Sequence, residues 1–328
     1  MDLNPSYSRG QIASSNLECR ARAARQLSGT VREAMAALQE LHPLVPNLRA
    51  ALRTFTASPS PFRVLTTIAS YTAFYAPVKT LYVLDSSFNP PTLAHLRIAI
   101  SALLHDKNAN SSPTKRLLLL LATQNADKAP KPASFEQRLA MMTIFASELV
   151  QRMRSSNDEK SAHEAKVVVV DVGVTKSPLY LDKATVLDRS GHYGDVDNGP
   201  EQVHLTGFDS LIRLLDPKYY PPDHSLHPLQ TLFSKHRIRA TRRIDDQWGG
   251  REEQDAYVEA LANGEKEKEG AKSEWSSKIE LVDGRQEGDE IVSSTKVREA
   301  SRNRDKEALE RLVPRGIVNF IFEQRLYT

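Results

Sequence analysis

Cysteine occurs once, at Cys19, which excludes an intramolecular disulfide and favours a reducing compartment. Long apolar runs are missing too. No stretch approaches the roughly 20 residues needed to span a bilayer, and no signal-type apolar core is present. Charge of one sign is scarce: 44 Lys and Arg against 41 Asp and Glu leave a net +3, too little to argue for nucleic acid or membrane as a partner. No internal repeat is found. What remains is a chain of 328 residues, enough for one large or two small domains with a sizeable core. A soluble protein of the cytoplasm or nucleus is expected.

The first thirty residues carry Arg9, Arg20, Arg22 and Arg25 but only two acids, Asp2 and Glu18. That resembles a mitochondrial transit peptide; a solvated extension is the preferred reading. Thr30–Glu33 fits a capping box, a second helical piece is expected around Leu48–Phe55, and Phe62–Ser70 fits a strand at a sheet edge. Residues 1–80 therefore form an N-terminal appendage, mostly helical, ahead of a domain covering 81–328.

Chemistry concentrates in Leu81–Arg97, LYVLDSSFNPPTLAHLR. An apolar strand runs to Leu84, then Asp85, Ser86 and Ser87 follow, and Asn89, Pro90 and Pro91 can continue neither strand nor helix. From Thr92 the spacing of Leu93, Leu96 and Ile100 is helical. Free N–H groups and the dipole at such a helix start make an anion site. Ser293, Ser294 and Thr295, followed by Lys296 and Arg298, form a second one. Two anion traps in one chain suit a triphosphate.

Around this stretch, Arg116–Thr123 and Lys166–Val172 are continuous apolar strands, with shorter ones at Gln202–Thr206, Arg237–Thr241 and Ile279–Val282. Helical stretches lie between them. The alternation predicts a Rossmann-like, doubly wound parallel α/β sheet, whose ligands bind beyond the carboxyl ends of the strands. Asp85–Ser87, Thr123–Lys128 and Gly207–Asp209 would meet there. Residues 105–115 and 188–200 read as mobile, and 263–277, charged and low in complexity, as a disordered insertion.

The segment SSFNPPTLAH resembles the GSFNPxTxxH signature of the nicotinamide/nicotinate mononucleotide adenylyltransferase family, members of the nucleotidylyltransferases. VSSTKVR at Val292–Arg298 resembles its ISSTKxR element, and Gly207–Phe208–Asp209 its GxD element. The likeness spans roughly residues 80–328 and is greatest to the fungal branch. It implies transfer of AMP from ATP, with Mg²⁺, to nicotinamide mononucleotide, giving NAD and pyrophosphate. It gives Thr92, His95, Lys296 and Arg298 catalytic roles. Ser86, Ser87, Phe88, Gly207, Asp209, Ser294 and Thr295 join His95, Lys296 and Arg298 around ATP. Ser87, Lys128, Tyr180 and Arg242 fall to the mononucleotide, with Arg243 the alternative to Arg242. No resident metal ligand is implied.

Blander readings stand beside these. A histidine near a helix start is usually a cap, Asp209 a plain N-cap, Lys128 a loop lysine, and STKVREASRNR a serine-capped helix with a solvated face. The chain also departs from the signature. Ser86 replaces a glycine, Glu290 a frequent asparagine, and neither Trp248 nor Trp275 stands where the family stacks a pyridine. Transfer to another phosphorylated acceptor, ATP hydrolysis, and a nucleotide-binding regulator without turnover are therefore the competing functions. The sequence leaves oligomeric state and amide-versus-acid preference open.

Overall fold

The computed structural model describes residues 44–69, 78–106, 114–124, 132–158, 167–194, 199–243, 248–284 and 290–328. The capping box at Thr30–Glu33, Cys19 and Lys128 lie outside them. Helix α1 (Leu44–Ala57) and strand β1 (Phe62–Ala69) lead into β2 (Thr80–Asp85), α2 (Leu93–His105), β3 (Thr114–Ala122), α3 (Phe135–Asp158) and β4 (Val167–Thr175). The second half runs α4 (Tyr180–Arg189), β5 (Glu201–Gly207), α5 (Phe208–Leu214), α6 (Gln230–Lys235), β6 (Arg237–Thr241), α7 (Arg251–Ala262) and β7 (Ile279–Val282). Three helices close it: α8 (Ser294–Arg302), α9 (Lys306–Leu312) and α10 (Arg315–Glu323).

The strands form one sheet in the order β1-β4-β3-β2-β5-β6-β7. All neighbours are parallel except β1, which runs antiparallel to β4 from Phe62↔Thr175 to Ala69↔Val169. After β2 the chain steps to β3 and β4 on one side, then returns to lay β5, β6 and β7 on the other. The expected doubly wound α/β sheet is the observed one, and its switch point lies between β2 and β5.

Alternation along the central strands divides the interior. Tyr82 and Leu84 of β2, with Leu117, Leu119 and Leu121 of β3, face the larger core, shared with α1, α2, α3 and the three C-terminal helices. Leu81, Val83, Leu118 and Leu120 face the opposite side, where Leu187 and Tyr193 cover them. A period of two with both faces buried is why β3 reads as an unbroken apolar run. Leu48 and Phe55 of α1 pack in the larger core, so this part of the expected appendage shares its packing with the sheet. Among the described residues no helix is long and apolar enough to cross a membrane.

One expectation is overturned. Residues 263–277, read as a disordered insertion, are folded, with two short 3₁₀ turns at Glu267–Glu269 and Ser273–Lys278. Trp275 is the cause: it is buried, stacks on Phe233 with ring centroids 5.0 Å apart, and donates its indole N–H to Gln230 Oε1 at 3.2 Å. Ala271 joins it in a smaller core beneath α5 and α6. Counting charges across the segment hid these two apolar anchors. Tyr193 anchors part of 188–200 in the same way, with its hydroxyl on Asp171 at 3.0 Å.

Candidate active site

At the switch point a cleft of about 530 Å³ opens between the ends of β2 and β5. Its lining holds seven Lys and Arg side chains against two carboxylates, Asp85 and Asp209. That surplus of positive charge favours a polyanion.

The turn after β2 forms the first wall. Phe88 takes φ 44°, a left-handed conformation rare outside glycine, and the Asn89–Pro90 peptide is cis. A turn with two prolines cannot pair its carbonyls in a regular ladder, so side chains serve them instead. Arg138 Nε donates to Ser87 O at 2.6 Å, Arg298 Nη1 to Asn89 O at 2.9 Å, and Ser294 Oγ to Pro90 O at 2.9 Å. Tyr327 OH reaches Asn89 Oδ1 at 2.9 Å. Arg138 is buried and its pKa is pulled down to about 10 by desolvation, which still leaves it charged at neutral pH.

His95 lies in the first turn of α2. Its Nδ1 accepts the Thr92 backbone N–H at 3.0 Å and lies 2.9 Å from the Thr92 hydroxyl. The bland cap reading is thus correct for that nitrogen. The other, Nε2, carries the proton and faces Ser86 Oγ at 2.9 Å. Burial, and then the positive charge of Arg243, pull the imidazole pKa down to about 4, so the ring is neutral. Phe88 packs on it at 5.3 Å between ring centroids. Ser293 caps α8 by accepting the Lys296 N–H at 3.3 Å.

The opposite wall begins at Gly207. A Cβ there would come within 2.5 Å of Asp209 Oδ1 and 3.2 Å of Arg243 Nε, so only glycine lets that ion pair close at 2.8 Å. Arg242, expected at the mononucleotide, lines the cleft but spends its guanidinium elsewhere. It pairs with Asp255 and Asp283 and donates to Leu281 O. Arg243, about half exposed, lines the same cleft and pairs with Asp209, itself a lining residue. Tyr180 also lines the cleft. Its hydroxyl lies 3.2 Å from Thr206 Oγ1, and burial, then the charge of Asp85, push its pKa up. Beside it, Lys183 and Asp85 form a buried ion pair with the ammonium 5.3 Å from the Tyr180 ring centre.

Most of the expected residues meet here: Ser86, Ser87, Thr92, His95, Tyr180, Gly207, Asp209, Ser294, Thr295 and Arg298 all line the cleft. Besides Arg242, three do not behave as expected. Phe88 is buried in the larger core and reaches the site through its backbone and the His95 ring. Lys296 is exposed and outside the lining, because the first turn of α8 points it away while Arg298 points in. Thr92 is buried with its hydroxyl committed to His95. Sequence reasoning missed Arg138, Tyr327 and the Lys183–Asp85 pair. Lys183 had a signal: it interrupts the apolar face formed by Tyr180, Ala184 and Leu187, and a charge there needs a partner. Arg138 and Tyr327 had none.

No family model matches the chain. Among curated proteins, a Schizosaccharomyces pombe protein described as "Putative nicotinamide mononucleotide adenylyltransferase" is 34% identical over 245 residues, covering 74% of this chain and 84% of that one. Among solved structures, the Plasmodium falciparum nicotinic acid mononucleotide adenylyltransferase complexed with NaAD aligns at a TM-score of 0.41 and 14% identity, over 76% of this chain and 97% of that one. The same enzyme complexed with APC aligns at 0.40 and 13%, with the same coverage. By its identity to the fission-yeast protein over most of both chains, this chain belongs to the nicotinamide/nicotinate mononucleotide adenylyltransferase family.

Proposed function

We propose that the protein transfers the adenylyl group of ATP to nicotinamide mononucleotide, giving NAD and pyrophosphate. The observation that carries this reading is the clamping of two helix starts onto one cationic cleft. α8 is fixed to the turn before α2 through Ser294–Pro90 and Arg298–Asn89, so both sets of N–H groups face the same space.

The acceptor's phosphate oxygen forms a bond to the α-phosphorus of ATP as the α–β bridging P–O bond breaks and pyrophosphate leaves. The attacking phosphate is already ionised near pH 7, so no protein base is needed. Catalysis then rests on holding the two phosphates in line and balancing the charge that develops. The helix starts, Arg298 and the His95–Ser86 pair serve the triphosphate. Asp209 and the open backbone at Gly207 serve the nucleoside. Tyr180 offers the aromatic ring for the pyridine, since it lines the cleft and neither Trp275 nor Trp248 does.

Mg²⁺ enters as the ATP complex. Asp85 and Asp209, the carboxylates lining the cleft, are each paired with a cation, which leaves the phosphate oxygens as the natural ligands. Its chemistry there is to neutralise charge on the leaving pyrophosphate.

The test is direct. Purified protein with MgATP and nicotinamide mononucleotide should form NAD, and the acid mononucleotide run in parallel reads the acceptor preference. Failure with both mononucleotides, alongside pyrophosphate release on another phosphorylated acceptor, would overturn the acceptor assignment.

A further inference from the structure

Ser86 stands where the family signature has glycine, and its hydroxyl meets the one donor that His95 has left. Thr92 N–H occupies Nδ1, so the ring proton is on Nε2 and points at Ser86 Oγ, 2.9 Å away. Ser86 Oγ is therefore an acceptor in that bond and keeps its own proton. Among the described residues that hydroxyl has no acceptor, and it lines the cleft. The backbone beneath it is fixed, because Ser86 N–H donates to Leu120 O at 3.3 Å along the sheet. A hydroxyl that accepts one strong bond becomes a better donor in the next, since successive hydrogen bonds polarise one another.

We propose that Ser86, rather than His95, makes the direct hydrogen bond to a phosphoryl oxygen of the nucleotide, with His95 acting through it as a positioning residue. The chain of donors runs from His95 Nε2–H to Ser86 Oγ–H to phosphate. For His95 to touch phosphate itself, it would have to give up a bond already made at good length, while Ser86 lost its partner. The relay keeps both. It also accounts for the departure from glycine: a side chain at this position is useful only if it takes over the contact. The inference rests on the proposed function in requiring a phosphate-bearing nucleotide in the cleft.

The experiment uses the full chain and four variants: Ser86→Ala, Ser86→Gly, Ser86→Thr and His95→Ala, with the double variant Ser86→Ala/His95→Ala. Loss of one preorganised donor typically lowers turnover by about 10²–10³. Ser86→Ala and Ser86→Gly should both fall in that range with melting temperatures near wild type, and Ser86→Thr should stay within about tenfold of wild type by keeping the hydroxyl. The double variant should be no slower than Ser86→Ala alone, because the two residues act in series. Calorimetry with a non-hydrolysable ATP analogue, and separately with the mononucleotide, tells which phosphate is held: that ligand alone should bind more weakly to Ser86→Ala. Full turnover in Ser86→Gly, multiplying losses in the double variant, or unchanged binding of both nucleotides to Ser86→Ala would each overturn the relay. Those outcomes leave the proposed function standing, provided wild type makes the dinucleotide. Binding of neither nucleotide by wild type would overturn both.

Discussion

The two walls of the cleft are held by different means. The wall formed by the β2–α2 turn and α8 is tied by hydrogen bonds to three backbone carbonyls and to the Asn89 side-chain oxygen, from residues rooted in the larger core and the C-terminal helices. The wall formed by the ends of β5 and β6 is tied by charge to charge, Asp209 to Arg243. Carbonyl ties cannot be exchanged for substrate groups without undoing the turn. An exposed ion pair can: it is worth about 0–1 kcal/mol, and a ribose hydroxyl or a phosphate can replace either partner. Under the proposed function, the first wall would preset geometry for the reacting phosphates, and the second would suit an exchange of partners as nucleotides come and go.

Arg138 gives the largest contrast. Removing it leaves the part-buried Ser87 carbonyl without that donor, a cost of up to about 1–3 kcal/mol, and frees Ser87 at the point where, under the proposed function, the phosphates align. Arg138→Ala should therefore lose turnover by about a hundredfold or more and also melt several degrees lower. Arg138→Lys should recover stability better than activity, since a point charge cannot reproduce the directed Nε–H bond. Steady-state kinetics beside thermal unfolding decides it: loss of activity with no loss of stability would mean that this wall is not architectural.

On the other wall the expectation reverses. Arg243→Ala should weaken nucleotide binding by about 10–100-fold, read as KM or by calorimetry, with melting almost unchanged. Its neighbour should behave in the opposite sense. Arg242→Ala would take from Asp255 its cation and leave Asp283 with Arg251 alone, and its main effect should be lower stability. If Arg242→Ala is the variant that loses affinity, the assignment of the two arginines is inverted.

The same contrast explains how much could be read from sequence. Strands β2, β3 and β4 announce themselves by apolar runs, β5 to β7 by shorter mixed stretches in their place in the alternation, and the turn with its two helix starts by contiguous Pro, Ser, Thr and His. These features are local, and periodicity and capping chemistry reach only a few residues. What anchors the turn is remote: Arg138 is 51 positions from Ser87, and Tyr327 is 238 from Asn89. Nothing in the residues around Tyr327 says that its hydroxyl will end at an asparagine of the first motif. Arg242 and Arg243 are adjacent, and the positions of Asp255, Asp283 and the Leu281 carbonyl decide which turns away. The folded segment around Trp275 was hidden for the opposite reason, because a charged composition masked one decisive aromatic ring.

His204 lies behind Tyr180, outside the residues that line the cleft. It is fully buried, with both ring nitrogens lacking a partner among the described residues. Burial, then His236 and Lys183, pull its pKa down to about 3. In the unfolded chain the ring titrates near 6.5. Below that pH the unfolded chain takes up a proton that the folded chain refuses, so stability is full above about 6.5 and is lost as pH falls. By pH 4 the loss from this residue alone should approach about 3 kcal/mol. His204→Leu should flatten the stability profile between pH 6.5 and 4 in chemical denaturation. An unchanged profile would mean that the ring is solvated in the folded protein.

Tyr327→Phe should have the smallest effect, and it separates the parts of the carbonyl-bound wall. The hydroxyl is a neutral donor to the side-chain oxygen of Asn89, while the main-chain oxygen of the same residue is held by the charged Arg298. A neutral hydrogen bond contributes about 0.5–1.5 kcal/mol net, and one to a charged group about 1.5–3. The phenyl ring would keep the packing of Tyr327 against the larger core, so only that bond is lost. Melting should fall by a few degrees at most. If the tie positions the turn, kcat should drop by about two- to tenfold while KM for ATP stays put, because the helix starts still bind the triphosphate but align it less often. A fall in melting temperature with kcat unchanged would assign Tyr327 to folding alone and leave Arg138, Arg298 and Ser294 as the groups that hold the site.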